Sequence, residues 1–208
     1  SDSKNSPYGS FSQYTRLNQY YIPTDGDGKQ KKVLDNNVVS GQNRVITNPL
    51  YDATVGIKDL TNSLTIATNL SMEYMLLDNL RLTEQLSYTR GMAGTDKFTP
   101  ADHTSFELED DLTRKGSYFK SSGNMSSWSS NLGINYNFVR GDHLFSAFGN
   151  WTINEDRNDY VNLSATGYPD PHMDEFIFGN KMETSMQNIG TENISRSIGL
   201  IGQLSYSY

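Results

Sequence analysis

The chain has 208 residues, a net charge of −7 at neutral pH, 35% hydrophobic residues and no cysteine. The acidic balance argues against a nucleic-acid partner, and the lack of cysteine excludes disulfides, thiolate zinc sites and a cysteine nucleophile. No apolar run approaches the roughly 18 residues of a membrane-spanning helix. Strands of a transmembrane β-barrel need apolar residues only at alternate positions, so a barrel is compatible with this composition.

The first third of the chain is mostly polar. Weak alternation predicts a strand near residues 9–17, and residues 18–62 read as a long connection rich in Asp, Asn, Gly and Lys. Asp25-Gly26-Asp27-Gly28 resembles the start of a calcium loop. However, Lys29 and Gln30 stand where that pattern requires Asp or Asn and then Gly, so a polar turn is favoured.

Two strands, near residues 63–75 and 80–90, form the first predicted hairpin. Each alternates apolar with polar residues, which places one apolar and one polar face on a strand. The residues Asp78 and Asn79 provide the tight turn between them. The apolar face comprises Leu64, Ile66, Leu70, Met72, Tyr74, Leu80, Leu82, Leu86 and Tyr88. Glu84 interrupts this face, and the alternation offers no explanation for it.

The central hairpin, near residues 126–138 and 143–155, has the most regular alternation. From Trp128 to Phe138 there are ten steps, roughly 33 Å of strand, which at a tilt of about 40° spans about 25 Å, the height of the apolar band of an outer-membrane barrel. The turn contains Gly141 and Asp142, and the first strand can begin as early as Tyr118. We expect the apolar side to hold Leu132, Ile134, Tyr136, Phe138, Phe145, Trp151 and Ile153, and the polar side Asn131, Asn135, Asn150 and Thr152, with Phe148 as an exception.

Long polar connections at residues 91–117 and 156–196 flank this hairpin, and a last strand is predicted near 197–208. Long connections that alternate with short turns are typical of a transmembrane barrel, with short periplasmic turns and long extracellular loops. The predicted fold class is therefore all-β, an antiparallel meander of long strands that forms part of a transmembrane β-barrel. Placed in an outer membrane, more than half of the chain would lie in loops outside the cell.

Candidate catalytic or metal-binding groups do not form a recognisable pattern. His103, His143 and His172 are scattered and lack metal-ligand spacing. The acidic runs at residues 107–111 and 170–175 could hold a cation, but solvated loop charge is the favoured interpretation. The sequence assigns no catalytic, cofactor-binding or metal-binding residue and predicts no enzyme. Substrate-contacting residues are not identified, although the loops and the polar strand face are where we expect them.

Several stretches, taken together and in order, resemble the barrel region of SusC/RagA-type TonB-dependent outer-membrane transporters of the Bacteroidetes. They are residues 5–11 (Asn-Ser-Pro-Tyr-Gly-Ser-Phe), 48–53 (Asn-Pro-Leu-Tyr-Asp-Ala), 136–144 (Tyr-Asn-Phe-Val-Arg-Gly-Asp-His-Leu), 165–169 (Ala-Thr-Gly-Tyr-Pro) and 206–208 (Tyr-Ser-Tyr). No single stretch is specific to the family.

The resemblance implies a 22-stranded barrel with an N-terminal plug that imports glycans, oligosaccharides or peptides through a Gram-negative outer membrane. It also implies a SusD-like surface lipoprotein as a partner and energy from TonB. No TonB box, plug or signal peptide is visible, and about six strands cannot close a barrel. We therefore expect residues 1–208 to be one partial barrel segment, completed by the remaining barrel and plug of the same transporter.

Two other classes of protein remain open at this stage. A soluble β-sandwich that binds carbohydrate would bury its apolar faces against each other, and a surface structural β-protein would show internal repeats, which we do not find. A lone segment would have to hide its apolar face and its unpaired strand edges, so we expect it to meet neighbouring strands or to self-associate.

Overall fold

A computed structural model describes residues 2–4, 6–9, 11–15, 17–39, 42–182 and 189–208. The chain divides into two compact units. We call residues 1–62, 93–122 and 161–189 the loop unit, and residues 63–92, 123–160 and 190–208 the strand unit.

The architecture is all-β and antiparallel, as predicted. One sheet has seven strands in the order β1-β4-β5-β6-β7-β8, with β9 also paired to β7, and the sheet is not closed. Its strands are β1 (Asp2–Lys4), β4 (Lys58–Leu77), β5 (Leu80–Thr99), β6 (Ser117–Arg140), β7 (His143–Thr166), β8 (Lys181–Met182) and β9 (Ile189–Ser207). A separate two-stranded sheet contains β2 (Val33–Val39) and β3 (Gln42–Thr47).

The five principal predicted strands correspond to β4, β5, β6, β7 and β9. Two-residue turns at 78–79 and 141–142 join the two strands of each predicted hairpin. Gly141 has a φ of +63°, which suits glycine at this turn. The strands are longer than predicted: β6 and β7 each have 24 residues. Backbone pairing continues beyond the last alternating residues. There, in residues 117–127 and 156–166, polar and apolar side chains are mixed without a regular period and leave no periodic signal.

The predicted strand near residues 9–17 is wrong. Residues Phe11–Thr15 form a short helix, α1, and the Leu17 amide donates to the Tyr14 carbonyl at 3.1 Å. The Tyr14 hydroxyl also donates to the Tyr8 carbonyl, so local bonds within the segment replace cross-strand pairing. Ser10 and Arg16 lie outside the described residues.

The connections carry more structure than the sequence indicates. Residues 18–62 include the β2–β3 hairpin and helix α2 (Pro49–Asp52), and 3₁₀ helices lie at Thr104–Phe106 and Phe176–Phe178. The segment 25–28 is a polar turn in which the Asp25 carboxylate accepts the amides of Asp27 and Lys29, at 3.0 and 2.9 Å. Among the described residues, no helix combines the length and the apolar character needed to cross a membrane.

The buried aromatic core belongs to the loop unit. Phe98, Tyr118 and Tyr168 are almost fully buried together with Ala165, and Phe176 packs against them. The Phe98 and Tyr168 rings meet edge to face with centroids 5.3 Å apart. The residues of this cluster come from β5, β6, the end of β7 and the connection after β7, so the cluster holds these segments in fixed positions.

Candidate functional site

The strand unit presents an apolar face that no described residue covers. We define the apolar face by side chains that are at least about one-third exposed. They are Leu64, Ile66, Leu70, Met72, Tyr74, Leu86, Tyr88, Trp128, Ile134, Tyr136, Phe138, Phe145, Trp151, Ile198, Leu200, Leu204 and Tyr206. Aromatic contacts run across the strands within it, with ring centroids 6.4 Å apart for Phe138 and Phe145 and 4.9 Å for Phe145 and Tyr206. An uncovered face with this many large apolar side chains is unusual for a soluble monomer, whose contiguous apolar patches rarely exceed a few hundred Å².

The opposite side of the same strands is hydrogen-bonded and polar. The Asn150 amide donates to Asn131, and the Thr152 hydroxyl donates to the Asn150 side-chain oxygen at 3.0 Å. Farther along, the Asn154 amide donates to the Ser197 hydroxyl at 3.2 Å. Together with strand alternation, these contacts confirm the predicted division of β6 and β7 into an apolar and a polar face.

The polar face also carries a close backbone approach. A Cβ on Gly133 would lie 2.5 Å from the Thr83 hydroxyl oxygen, so glycine is needed for the present position of Thr83. Arg81 pairs with Glu73 on this face at 3.5 Å. These groups form a polar area that water or a polar solute could contact. Met75, Phe148 and Ile201 are exposed apolar residues at positions of the same side.

The interruption of the apolar face at Glu84 has a structural explanation. The Ser130 hydroxyl donates to the Glu84 carboxylate at 2.7 Å, and both residues occupy apolar-face positions of their strands. Two polar breaks that are 46 residues apart in sequence therefore satisfy each other across neighbouring strands. The alternation of residues identifies Glu84 as a polar interruption but not Ser130 as its partner, because alternation does not give the register between β5 and β6.

In the loop unit, Lys58 is surrounded by acidic groups. Its ammonium lies 3.1 Å from Asp96 and 3.7 Å from Asp174, and 5.9 Å from the centre of the Tyr118 ring. Burial disfavours the charged ammonium, but the bond to Asp96 and the nearby acidic charges outweigh it and raise the pKa of Lys58. Lys58 thus occupies the position that a cation would otherwise take among these carboxylates. These residues are far apart in sequence and carry no periodic signal, so the sequence did not predict this group.

The same region perturbs two tyrosines. Burial, assisted by the Asp96 carboxylate, raises the pKa of the Tyr118 phenol. Burial alone raises the pKa of Tyr168 to about 12. The Tyr168 hydroxyl donates to the Phe176 carbonyl at 3.1 Å. Both phenols therefore remain neutral packing groups at physiological pH.

The three histidines lie in separate local contacts. His103 accepts the Ser105 amide at Nδ1, at 3.0 Å, and its Nε2 faces Asp52 at 3.7 Å. Burial lowers the pKa of His103, and the Asp52 charge does not compensate for it. At the start of β7, the His143 ring stacks with Tyr206 and contacts the tilted ring of Tyr208. His172 bonds Asp170 at 2.9 Å.

The acidic runs are used largely in local pairs. Glu107 binds Lys32 at 2.7 Å, and Asp111 accepts the Thr113 hydroxyl at 2.7 Å. The hydrogen bond from the Thr113 side chain, followed by the bond from its backbone amide, lowers the pKa of Asp111. In the part of the chain that the structure describes, no three His, Asp or Glu side chains converge as metal ligands would.

Two stretches that carry the family resemblance have structural roles. Asn48 is buried, caps helix α2 by accepting the Leu50 amide at 3.0 Å, and donates to the Lys31 carbonyl at 2.8 Å. Asp52, at the end of α2, accepts both the amide and the hydroxyl of Thr104, at 2.9 and 2.7 Å. Residues 48–53 therefore link three segments of the loop unit.

The second stretch, residues 165–169, supplies part of the aromatic core. Gly167 has a φ of +83°, and a Cβ there would lie 2.8 Å from the Thr113 carbonyl oxygen. This conformation turns the chain after β7 so that Tyr168 enters the core. The motif is thus a packing element of the loop unit.

The comparisons with known proteins concern the fold. No protein-family model and no curated protein sequence matches the chain. Solved structures that are similar over 91% of the chain include the RagAB peptide importer in the 'closed-closed' state (TM-score 0.65, 15% identity) and in the 'open-open' state (0.64, 17%), and the RagAB peptide transporter (0.64, 16%). The match covers 20% of each of those chains, so this chain spans about one fifth of their length. At these identities the likeness shows that the chain has the fold of a segment of these transporter structures.

Proposed function

We propose that this chain forms part of the barrel wall of a SusC/RagA-type outer-membrane importer. The observation that carries the proposal is the division of the strand unit into an uncovered apolar face and a hydrogen-bonded polar face. In a membrane, the apolar face would contact lipid and the polar face would line the lumen. The fold likeness to the RagAB structures supports this assignment.

In this proposal residues 1–208 are one segment of a larger barrel. The two-residue turns at 78–79 and 141–142 lie on the periplasmic side, and the long connections lie outside the cell. Other parts of the same transporter complete the barrel and its plug and couple transport to TonB. A SusD-like surface lipoprotein is the expected partner on the outside. Because the similar structures are described as a peptide importer, we favour peptides over glycans as the imported substrate.

The alternative of a soluble carbohydrate-binding sandwich receives no support from the packing. Such a domain would bury its aromatic residues between two sheets. In the strand unit, Trp151 is 50% exposed and Leu200 is 81% exposed, while the described core cluster lies in the loop unit. The similar solved structures are transporters, which also fits a protein without enzymatic activity.

A spin-label scan of β6 tests the lipid-facing assignment. The chain has no cysteine, so single cysteines at positions 131 to 136 give one label each within this segment of the full-length protein. In lipid vesicles, labels at positions 132, 134 and 136 should collide mainly with oxygen. Labels at 131 and 135 should collide mainly with a water-soluble nickel complex. Loss of this alternation would refute the barrel assignment.

Growth experiments test the substrate class. A strain that lacks the full-length protein should lose growth on oligopeptides as the nutrient source and recover it when the intact protein is restored. Loss of growth on oligosaccharides with normal growth on peptides would reject the peptide assignment and leave the barrel assignment intact. Mass spectrometry of the purified complex should identify both a co-purifying lipoprotein and bound peptides.

A further inference from the structure

A polar cavity lies at one end of the apolar face. Tyr88 and Arg90 of β5, Asn124 and Ser126 of β6, and Arg157 and Asp159 of β7 line about 270 Å³, with Met125 at its side. Strand alternation places the residues of β5 and β7 on the same side as the apolar face. Tyr88, which lines the cavity, and Trp128 are aromatic residues of that face. The other lining residues lie beyond them along the strands, away from the two-residue turns.

The cavity contains charged side chains of both signs, and they differ in whether they already have a partner. Arg157 forms an ion pair with Glu192 of β9. Asp159 accepts the Asn124 amide at 2.8 Å. The Arg90 guanidinium is exposed and makes no hydrogen bond or ion pair within the described ranges. The same cavity thus holds one guanidinium without a partner among the described residues and one carboxylate that retains accepting capacity.

The position determines which ligand suits these charges. Tyrosine and tryptophan mark the level where apolar chains meet headgroups in a membrane, and arginine side chains extend to that level. A guanidinium binds phosphate oxygens through paired N–H donors. A carboxylate in the same cavity disfavours a ligand that is only negative, and it can accept hydrogen bonds from an ammonium group.

We propose that this cavity binds the phosphoethanolamine headgroup of a membrane lipid, with the phosphate on Arg90 and the ammonium on Asp159. The inference rests on the proposed membrane location of the strand unit, since the acyl chains would lie along the apolar face. It assigns a lipid-binding site on the outer side of the barrel wall, separate from any path through the lumen.

Native mass spectrometry of the delipidated full-length protein tests this site. The probes are phosphatidylethanolamine, phosphatidylglycerol and diacylglycerol with the same acyl chains. The protein should retain phosphatidylethanolamine most strongly. Arg90→Gln should lower the bound fraction at least about tenfold, which corresponds to about 1.4 kcal/mol, near the low end of the range for a hydrogen bond to a charged group. Arg140→Gln is the matched control, because Arg140 is an exposed arginine at the opposite end of β6. Asp159→Asn should remove the preference for phosphatidylethanolamine over phosphatidylglycerol.

Two results would overturn the proposal. One is equal retention of all three lipids, which would mean that the acyl chains alone are bound. The other is an equal effect of Arg90→Gln and Arg140→Gln. The spin-label scan separates this failure from a failure of the proposed function: if the alternation in β6 holds, only the headgroup site is rejected. If the alternation is lost, the barrel assignment itself is rejected.

Discussion

Lysine substitutions on the two faces of β6 give the sharpest test of the membrane orientation. Ile134 is 43% exposed on the apolar face, and its neighbour Asn135 points to the polar side. Six strand steps from Trp128 and four from Phe138, at a tilt of about 40°, place Ile134 about 15 Å and about 10 Å from the ends of the apolar band. Ile134 is therefore within about 3 Å of the middle of a band about 25 Å tall.

Lysine at the middle of a bilayer costs about 2–4 kcal/mol on the lipid face of a barrel, and little on the lumen side. Ile134→Lys should therefore lower the folded-to-unfolded ratio roughly 30- to 700-fold, since about 1.4 kcal/mol corresponds to a factor of ten. Asn135→Lys should change the free energy of unfolding by less than about 1 kcal/mol.

The assay is equilibrium refolding of the full-length protein into lipid vesicles across a guanidinium chloride series, with both variants and the parent sequence. Ile134→Ser serves as a control for the lost apolar side chain without a charge. Equal destabilisation by lysine at both positions would refute the lipid-face reasoning. Greater destabilisation at Asn135 would show that the two faces have been exchanged.

Three further predictions concern single contacts. Ser130→Ala should destabilise the protein in lipid by about 1–3 kcal/mol because it leaves the Glu84 carboxylate without its donor, whereas the Glu84→Leu/Ser130→Ala double variant should be at least as stable as the parent in the same refolding assay. Gly116→Ala should destabilise the loop unit, because φ is +74° and the new Cβ would lie 2.8 Å from the Tyr168 Cβ. Amide hydrogen exchange in the loop unit should therefore become faster. The increase should be larger than for the control Gly28→Ala, where φ is +79° and no atom lies within 4 Å of the new Cβ. The pKa of His103 is lowered in the folded state, so below about pH 6.5 the unfolded state takes up this proton more readily. The local stability around His103 should therefore fall as the pH falls below about 6.5. Hydrogen exchange of the Ser105 amide measures this change, and His103→Asn should remove its pH dependence.

The strand unit could be predicted from the sequence because its two faces differ strongly in polarity. Each apolar-face residue of β6, from Trp128 to Phe138, follows its predecessor by two positions, and this period alone defines the strand and its orientation. The turn at Gly141 is equally local, since it needs only residues that tolerate its backbone conformation.

The loop unit could not be predicted because its contacts join residues that are far apart. Phe98, Tyr118 and Tyr168 form one core although 70 positions separate the first from the last. No period connects them, and each follows from a fold that must be known first. The short helix at Phe11–Thr15 was not predicted for a different reason. Five residues with no clear polar and apolar period favour neither a helix nor a strand strongly.

The register of neighbouring strands also lay beyond the sequence. It decides that Ser130 reaches Glu84 and that Arg90, Arg157 and Asp159 share one cavity. Alternation shows which side of a strand a residue occupies, but it does not show which residue of the next strand is opposite.

The two-residue turns have a consequence for the time course of folding. They join β4 to β5 and β6 to β7, so each hairpin forms through contacts that are close in sequence, which favours rapid closure. Strand β9 pairs with β7 only after a connection of more than 20 residues, from Thr166 to Ile189, has been closed. Leu200 and Leu204 of β9 are 81% and 85% exposed. Until that connection closes, these side chains have no partner strand, so β9 is a segment whose exposed apolar residues favour aggregation during folding.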